Sequence, residues 1–421
     1  MTSPDQQQLI LIVGAGQAGA ELAFALRQTG STARIVIVGD EPFAPYQRPP
    51  LSKSYLAGKV DLAALYVKPK EAYDTANIEL RTAVRAEHVD RSAKVVRLSD
   101  GSTMLYDKLV FATGGRPRPL QAKGVQDAPR LGNLHYLRTV GDVDRIHRQF
   151  QPGFRMVLIG GGYVGLEVAA AAREHGMHVT VLEAMPRVLA RVTVPEISAF
   201  YERVHREAGV EIRTSAVVSS IVTDESGDAV TAIVCSDGST TPADVVVVGI
   251  GLLPNTELAE RSGLEVKDGI VVDELTRTAD PDVLAIGDCT RHPNVMYGRH
   301  VRLESVPNAL EQARTAAATL CGQHRPHHAV PWFWSDQFDL KLQMVGLADG
   351  HDRLVLRGST STRSFSAFYM KEGRVIAADA VNRPQDFMIA KRLVAQQSMV
   401  DPSRLADESQ PLKTLASAPP V

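Results

Sequence analysis

The 421-residue sequence predicts an α/β protein with two Rossmann-like dinucleotide-binding domains and a C-terminal α+β domain. Three observations carry that expectation. A strand, a glycine turn and a helix open the chain; the same device returns complete near residue 155; and beyond residue 330 the pattern changes to alternating apolar strands followed by one helix. The expected boundaries are 1–118 and 249–329 for the two parts of the first domain, 119–248 for the second and 330–421 for the third.

The first device is "LILIVGAGQAGAELAFAL", residues 9–26, with Gly14, Gly16 and Gly19 in the G-x-G-x-x-G spacing. Such glycines permit the tight turn, the approach of a pyrophosphate and the packing of helix on strand. The helix N-terminus then presents unpaired N–H groups to the anion. The next strand, "ARIVIVGDE", ends in Asp40 and Glu41, about 20 residues on, where a carboxylate meets ribose hydroxyls.

The second device is "RMVLIGGGYVGLEVAAAAREHGMHVTVLE", residues 155–183, with Gly160, Gly162 and Gly165 in the same spacing and Glu183 as its acid. A carboxylate there bonds both ribose hydroxyls and repels a 2′-phosphate, which favours NADH over NADPH; Arg187, four residues on, works against strict preference. Two dinucleotides on one chain point to electron transfer between them, with FAD and a nicotinamide cofactor as the common pair. "LVFATGGRPRP" (109–119) and "DVVVVGIGLLPNTEL" (244–258) read as the crossovers into and out of the second device, which is therefore inserted into the first domain. That domain resumes with "TADPDVLAIGDCTR" (278–291), a strand ending at Gly287 and Asp288.

Composition narrows the classes. With 44% hydrophobic and 22% charged residues and a formal net charge of −2, the chain is of ordinary globular make-up and has no global attraction for nucleic acid. No uncharged apolar run reaches the ~20 residues of a spanning helix, and "MTSPDQQQ" lacks a signal-peptide pattern, so cytoplasmic residence is expected. Cys235, Cys289 and Cys321 are too far apart for a C-x-x-C pair. "HRPHH" (324–328) has no neighbouring acid or thiol in sequence, and no metal site is expected.

Between the devices lies "YQRPPLSK", residues 46–53. Pro49 and Pro50 donate no backbone hydrogen bond, so the segment must leave the sheet as a stiff cationic turn. Together with "FATGGRPRPL", "IGGGYVGLEVAA", "AIGDCTR", "ESVPNALEQAR" and "PWFWSDQ", it resembles the NADH-dependent ferredoxin reductases of the glutathione reductase fold. The resemblance runs from about residue 9 to 412.

The resemblance implies FAD and NADH as cofactors. Ala18 and Asp40 would serve the FAD pyrophosphate and ribose, Val84 the adenine, Thr113 and Gly114 the crossover beside it, and Arg138 the rim. Asp288 would bond the ribityl chain, and Val306 would open a helix at the pyrimidine end of the flavin. Arg48 and Lys53 match the flavin loop, Val164 and Glu167 the place where nicotinamide meets flavin, and Glu183 the NADH ribose. Lys53 is expected to pair with Glu167 beside flavin N5, as the catalytic pair.

Disulfide reductases of this fold carry a cysteine pair near the position of "YQRPPLSK"; here there is none, so electrons must pass to an external carrier. The implied partner is an acidic [2Fe-2S] ferredoxin feeding a monooxygenase or ring-hydroxylating dioxygenase. Arg314, Lys341, Lys391 and Lys413 are candidates for its docking edge, with Trp332 and Trp334 nearby in sequence to the third domain's first strand. Two alternatives remain at this level: a redox signalling flavoprotein like apoptosis-inducing factor, and an NADH oxidase or peroxidase.

Overall fold

The computed structural model describes residues 7–125 and 131–415. The chain forms two compact units, one of Met1–Gln47, Ala63–Arg116 and Leu253–Trp332, the other of Arg48–Leu62, Pro117–Leu252 and Phe333–Val421.

In the first unit five parallel strands stand in the order Val283–Ala285, Lys108–Phe111, Leu9–Val13, Arg34–Val38, Ile78–Arg81. The strands are runs of Ile, Leu and Val buried on both faces, as a parallel sheet covered on two sides requires. Strand order reverses beside Leu9–Val13, and ligands of such sheets bind at the carboxyl ends of the strands at that reversal. One face is covered by helices Gln17–Gln28 and Val306–Leu320, which meet through alanines such as Ala20, Ala313 and Ala317. The other packs on a small antiparallel sheet, Ala86–Asp90, Val95–Leu98 and Thr103–Leu105.

The second unit repeats the design with parallel strands in the order Val210–Arg213, His178–Leu182, Arg155–Ile159, Val245–Val248, Leu134–Tyr136. It also contains a five-stranded sheet in the order Trp332–Gln337, Leu340–Gly346, Arg374–Val381, Ser364–Lys371, Arg353–Ser359, with helix Pro384–Ala395 against it. At "KEG" the chain turns a hairpin: Glu372 and Gly373 both have positive φ, 50° and 77°, as a two-residue primed turn demands.

The five-stranded sheet buries one carboxyl group. Asp379 Oδ2 accepts from Tyr369 Oη at 2.6 Å and from Thr193 Oγ1 at 3.0 Å, with no cation among these contacts. Burial pushes its pKa up to about 6, and burial followed by the adjacent carboxylate pushes the Tyr369 phenol upward. Because the folded-state value is raised, the contribution to stability is complete below the ordinary aspartate pKa and is lost as pH rises through about 6. The expected loss is about 3 kcal/mol. An Asp379→Asn amide oxygen can accept both hydroxyls without ionising. Urea unfolding of the two proteins at a series of pH values should therefore show the variant gaining on the wild type between about pH 4 and 7; a constant difference would refute the assignment.

Candidate functional site

The two glycine turns are the same object built twice. Gly14 N–H donates to Val38 O and Gly160 N–H to Leu182 O, both at 2.8 Å, so each turn is fastened to the strand beside it. Gly14 has φ +123° and a Cβ there would lie 2.1 Å from Ala112 O; Gly160 has φ +108° and its Cβ would lie 2.4 Å from Gly249 O. Gly19 and Gly165 face the carbonyls of Gly14 and Gly160, each with a would-be Cβ contact of 2.2 Å. Gly16 and Gly162 differ, since a Cβ on either meets nothing within 4 Å. These two are helix N-caps without a side-chain cap, on helices Gln17–Gln28 and Tyr163–Glu174. The space over each and the uncapped N–H groups of the first turn suit a pyrophosphate. The residues present therefore fit a dinucleotide in each unit.

Around the first turn, Val84 N–H donates to Gly39 O at 2.9 Å, which brings Val84 to the strand end that carries Asp40. Asp40 is exposed, with Arg85 at 3.7 Å. Thr113 Oγ1 donates to Asn255 O at 2.6 Å, Asn255 Nδ2 returns to Thr113 O at 2.9 Å, and Asn255 N–H donates to Gly114 O at 2.9 Å. Asp288 lies in the 3-10 turn Gly287–Cys289; Gly287 is within 3.1 Å of the Ala18 Cβ by its own would-be Cβ, and its N–H is held by Gln312 Oε1 at 2.6 Å. Val306 begins its helix behind Ser305, whose hydroxyl accepts from Asn308 N–H at 3.3 Å. The first unit thus gathers Gly14, Gly16, Ala18, Gly19, Asp40, Val84, Thr113, Gly114, Asp288 and Val306.

Around the second turn, Glu183 folds back across the loop. Its Oε2 accepts from Gly161 N–H at 2.6 Å and its Oε1 from Met185 N–H at 2.8 Å, which fixes both oxygens and leaves lone pairs on each. Arg187 does not join it. Its guanidinium donates to Ser198 Oγ at 2.6 Å and Ala190 O at 3.1 Å, so the cation that left NADPH open in the sequence is tied elsewhere. Val164, the residue after the helix's first position, is 45% exposed despite being apolar, which suits a surface for a flat ring.

Residues 48–62 group with the second unit. Pro49–Ser52 form a 3-10 turn with proline at its start, Leu51 N–H donating to Arg48 O and Lys53 N–H to Pro50 O. Arg48 Nη1 reaches Arg138 O at 2.5 Å. Tyr55 Oη donates to Asp144 Oδ1 at 2.9 Å, and His147 bonds Leu56 O at 2.9 Å, clamping the loop to helix Val140–His147. At its centre Lys53 Nζ lies 2.8 Å from Glu167 Oε1. Glu167 is buried, and Ser52 Oγ donates to its Oε2 at 2.5 Å while Ser335 Oγ donates to Oε1 at 2.6 Å. Sequence reasoning named the lysine and the glutamate and missed both serines, although Ser52 lies within "YQRPPLSK" and Ser335 within "PWFWSDQ".

Cys289 is buried, its thiol against the carbonyl of Ile286, and burial pushes its pKa up; Cys235 is buried and Cys321 half-buried. Among the described residues no three metal-ligating side chains gather, and no helix is long and apolar enough to cross a membrane. Of the cations considered for docking, Arg314, Lys341 and Lys413 are exposed; Arg314 pairs with Glu311 at 2.5 Å, and Lys391 lies over the Phe387 ring at 5.7 Å.

Residues 9–313 match the family model "Pyridine nucleotide-disulphide oxidoreductase", and residues 332–416 match "Reductase C-terminal". The chain is 49% identical to putidaredoxin reductase of Pseudomonas putida across 97% of both chains. It is 43% identical to the ferredoxin–NAD(+) reductase component of the anthranilate 1,2-dioxygenase system of Burkholderia cepacia, across 96% of this chain and 98% of that one. The crystal structure of the covalent putidaredoxin reductase–putidaredoxin complex superposes with a TM-score of 0.94 over 98% of each chain. Two nucleotide cradles, an acid pinned over the second and relatives of this identity along the full length lead to one assignment: the chain belongs to the pyridine nucleotide-disulphide oxidoreductases, among the FAD- and NADH-dependent ferredoxin reductases.

Proposed function

We propose that the protein carries electrons from NADH through FAD to a [2Fe-2S] ferredoxin that serves a monooxygenase or a ring-hydroxylating dioxygenase. The observation that carries this reading is the pair of matching cradles on a chain 49% identical to putidaredoxin reductase. Bound together, the two cofactors supply a junction between a two-electron donor and a one-electron acceptor. Residues 1–234 contain no cysteine, and Cys289, next to Asp288 in the first unit, is a buried thiol whose pKa burial pushes up, so no cysteine pair is offered as a relay and electrons leave to an external carrier. Cytoplasmic residence belongs to the same proposal, since that is where NADH is regenerated.

Within this reading Lys53 and Glu167 are the catalytic pair beside the flavin. The ammonium, 17% exposed, holds a buried carboxylate in one place and keeps positive charge where the reduced ring gains negative charge. Gly14, Gly16, Ala18, Gly19, Asp40, Arg48, Val84, Thr113, Gly114, Arg138, Asp288 and Val306 hold FAD; Gly160, Gly162, Val164, Gly165 and Glu183 hold NADH. The test is NADH-driven reduction of a panel of [2Fe-2S] ferredoxins over a salt series. Stimulated turnover with at least one, weakening as salt screens a small charged contact, is expected. No stimulation by any of them refutes the carrier role.

The pinned Glu183 gives a second expectation. Glu183→Ala removes charge-assisted bonds to the ribose, so KM for NADH should rise about 10- to 100-fold with kcat little changed, while NADPH is affected far less. Steady-state kinetics with both nucleotides decide it, and an unchanged NADH/NADPH ratio would remove Glu183 from the ribose.

A further inference from the structure

The carboxylate of Glu167 is the end of a buried hydrogen-bonded chain that reaches well beyond its ion pair. Ser335 Oγ bonds Glu167 Oε1 at 2.6 Å, Gln337 Nε2 bonds Ser335 Oγ at 3.0 Å, and His205 Nε2 bonds Gln337 Oε1 at 2.9 Å. His205, Gln337 and Ser335 are each no more than 1% exposed, and all lie in the second unit. Three polar side chains in a dry environment are costly unless each is satisfied, so their presence calls for a reason.

The direction of the chain follows from its acid end. An ionised Glu167 can only accept, so the single hydroxyl proton of Ser335 points at it. Ser335 must then accept from an amide N–H of Gln337, which turns the Gln337 carbonyl toward His205. Only a protonated Nε2 satisfies that carbonyl. Burial lowers the His205 pKa to about 4, so the ring is neutral at working pH and carries its one proton on Nε2. Were the Gln337 amide reversed, its carbonyl would compete with Glu167 for the Ser335 proton. The His205 Nε2 proton therefore holds the Gln337 amide in the orientation that the acid end requires, and through it the Ser335 hydroxyl two side chains away.

We infer that His205, Gln337 and Ser335 are positioning residues for the reaction, a one-way relay that keeps the Ser335 hydroxyl on Glu167 and so fixes the carboxylate against Lys53. The inference rests on the reading that Lys53 and Glu167 act beside the flavin. It assigns to strand Trp332–Gln337 and helix Pro195–Glu207 a part in flavin reduction that their distance in sequence conceals.

Stopped-flow reduction of the FAD-loaded protein by NADH tests it, together with nitrogen-15 NMR of histidine-labelled protein. Ser335→Ala should lower the limiting reduction rate about tenfold, Gln337→Met by a smaller factor, and Ser335→Thr should restore it. In a Glu167→Gln background Ser335→Ala should have no further effect, because the serine acts through the carboxylate. The spectrum should show His205, identified by its loss in His205→Leu, as the neutral Nε2–H tautomer at pH ~7. Equal slowing by Ser335→Ala in both backgrounds, or an Nδ1–H or charged His205, overturns the relay. If Glu167→Gln slows reduction while Ser335→Ala does not, the relay falls and the catalytic pair stands. If neither slows it, both fall.

Discussion

Lys53→Met is expected to slow reduction of the bound flavin by NADH by about 10²-fold, with FAD still bound. The ammonium lies 2.8 Å from a carboxylate that is 2% exposed at its side chain. Removing it leaves Glu167 buried with two serine donors and no counter-charge, which costs about 3–5 kcal/mol in such settings. The carboxylate must then take up a proton or swing away, and either outcome removes the fixed charge from the pair proposed to stand beside the reduced ring. Glu167→Gln should act in the same direction, and the double variant should be no slower than the worse single one, since the residues work as a unit. Rapid mixing with NADH reads the rate directly; unchanged reduction in Lys53→Met would show that the pair is structural only.

The glycine turns give the second large effect, and they separate the two cofactors. Gly14→Ala places a methyl group 2.1 Å from Ala112 O at a φ that L-residues avoid, and the protein should be isolated without FAD. Gly160→Ala meets Gly249 O at 2.4 Å and should keep its yellow colour while losing NADH affinity by about 10²-fold or more. Gly16→Ala and Gly162→Ala are the informative controls. Their methyl groups meet no protein atom within 4 Å, so folding should be undisturbed and only the dinucleotide displaced. Thermal unfolding and cofactor titration of the four variants distinguish a turn that needs glycine for its own geometry from one that needs it for a ligand. A Gly162→Ala protein with full NADH affinity would show that the pyrophosphate does not lie over that turn.

Much of this was legible because it is local or repeated. The glycine spacing, the strand before it and the acid about 20 residues after it lie in one stretch of chain, and the second copy confirms the first. The Lys53–Glu167 pairing spans 114 positions and was reachable only through the resemblance; the structure brings the two atoms to 2.8 Å. Ser335, Gln337 and His205 were not legible, because a serine or glutamine in an alternating strand is ordinarily solvent-facing and nothing in sequence says which strand it meets. The same holds for Asp379, whose partners Thr193 and Tyr369 come from different elements. Arg187 illustrates the converse: its spacing suggested a phosphate ligand, and only the Ser198 contact reveals that it is a fastening for its own loop.

Strand Trp332–Gln337 alternates, and its two sides answer to different demands. Phe333 packs toward Tyr163 with ring centroids 5.4 Å apart, and Ser335 and Gln337 share that side with it; Trp334 and Asp336 point the other way. The two sides meet at the aromatic end of the strand, where the Trp334 ring lies 6.2 Å from that of Phe333, while Ser335 and Gln337 are buried and hydrogen-bonded on the first side. A single-residue insertion within the strand would exchange the two sets and put an indole where the hydroxyl belongs. A change of length in this strand therefore moves both sides at once, which no single substitution does.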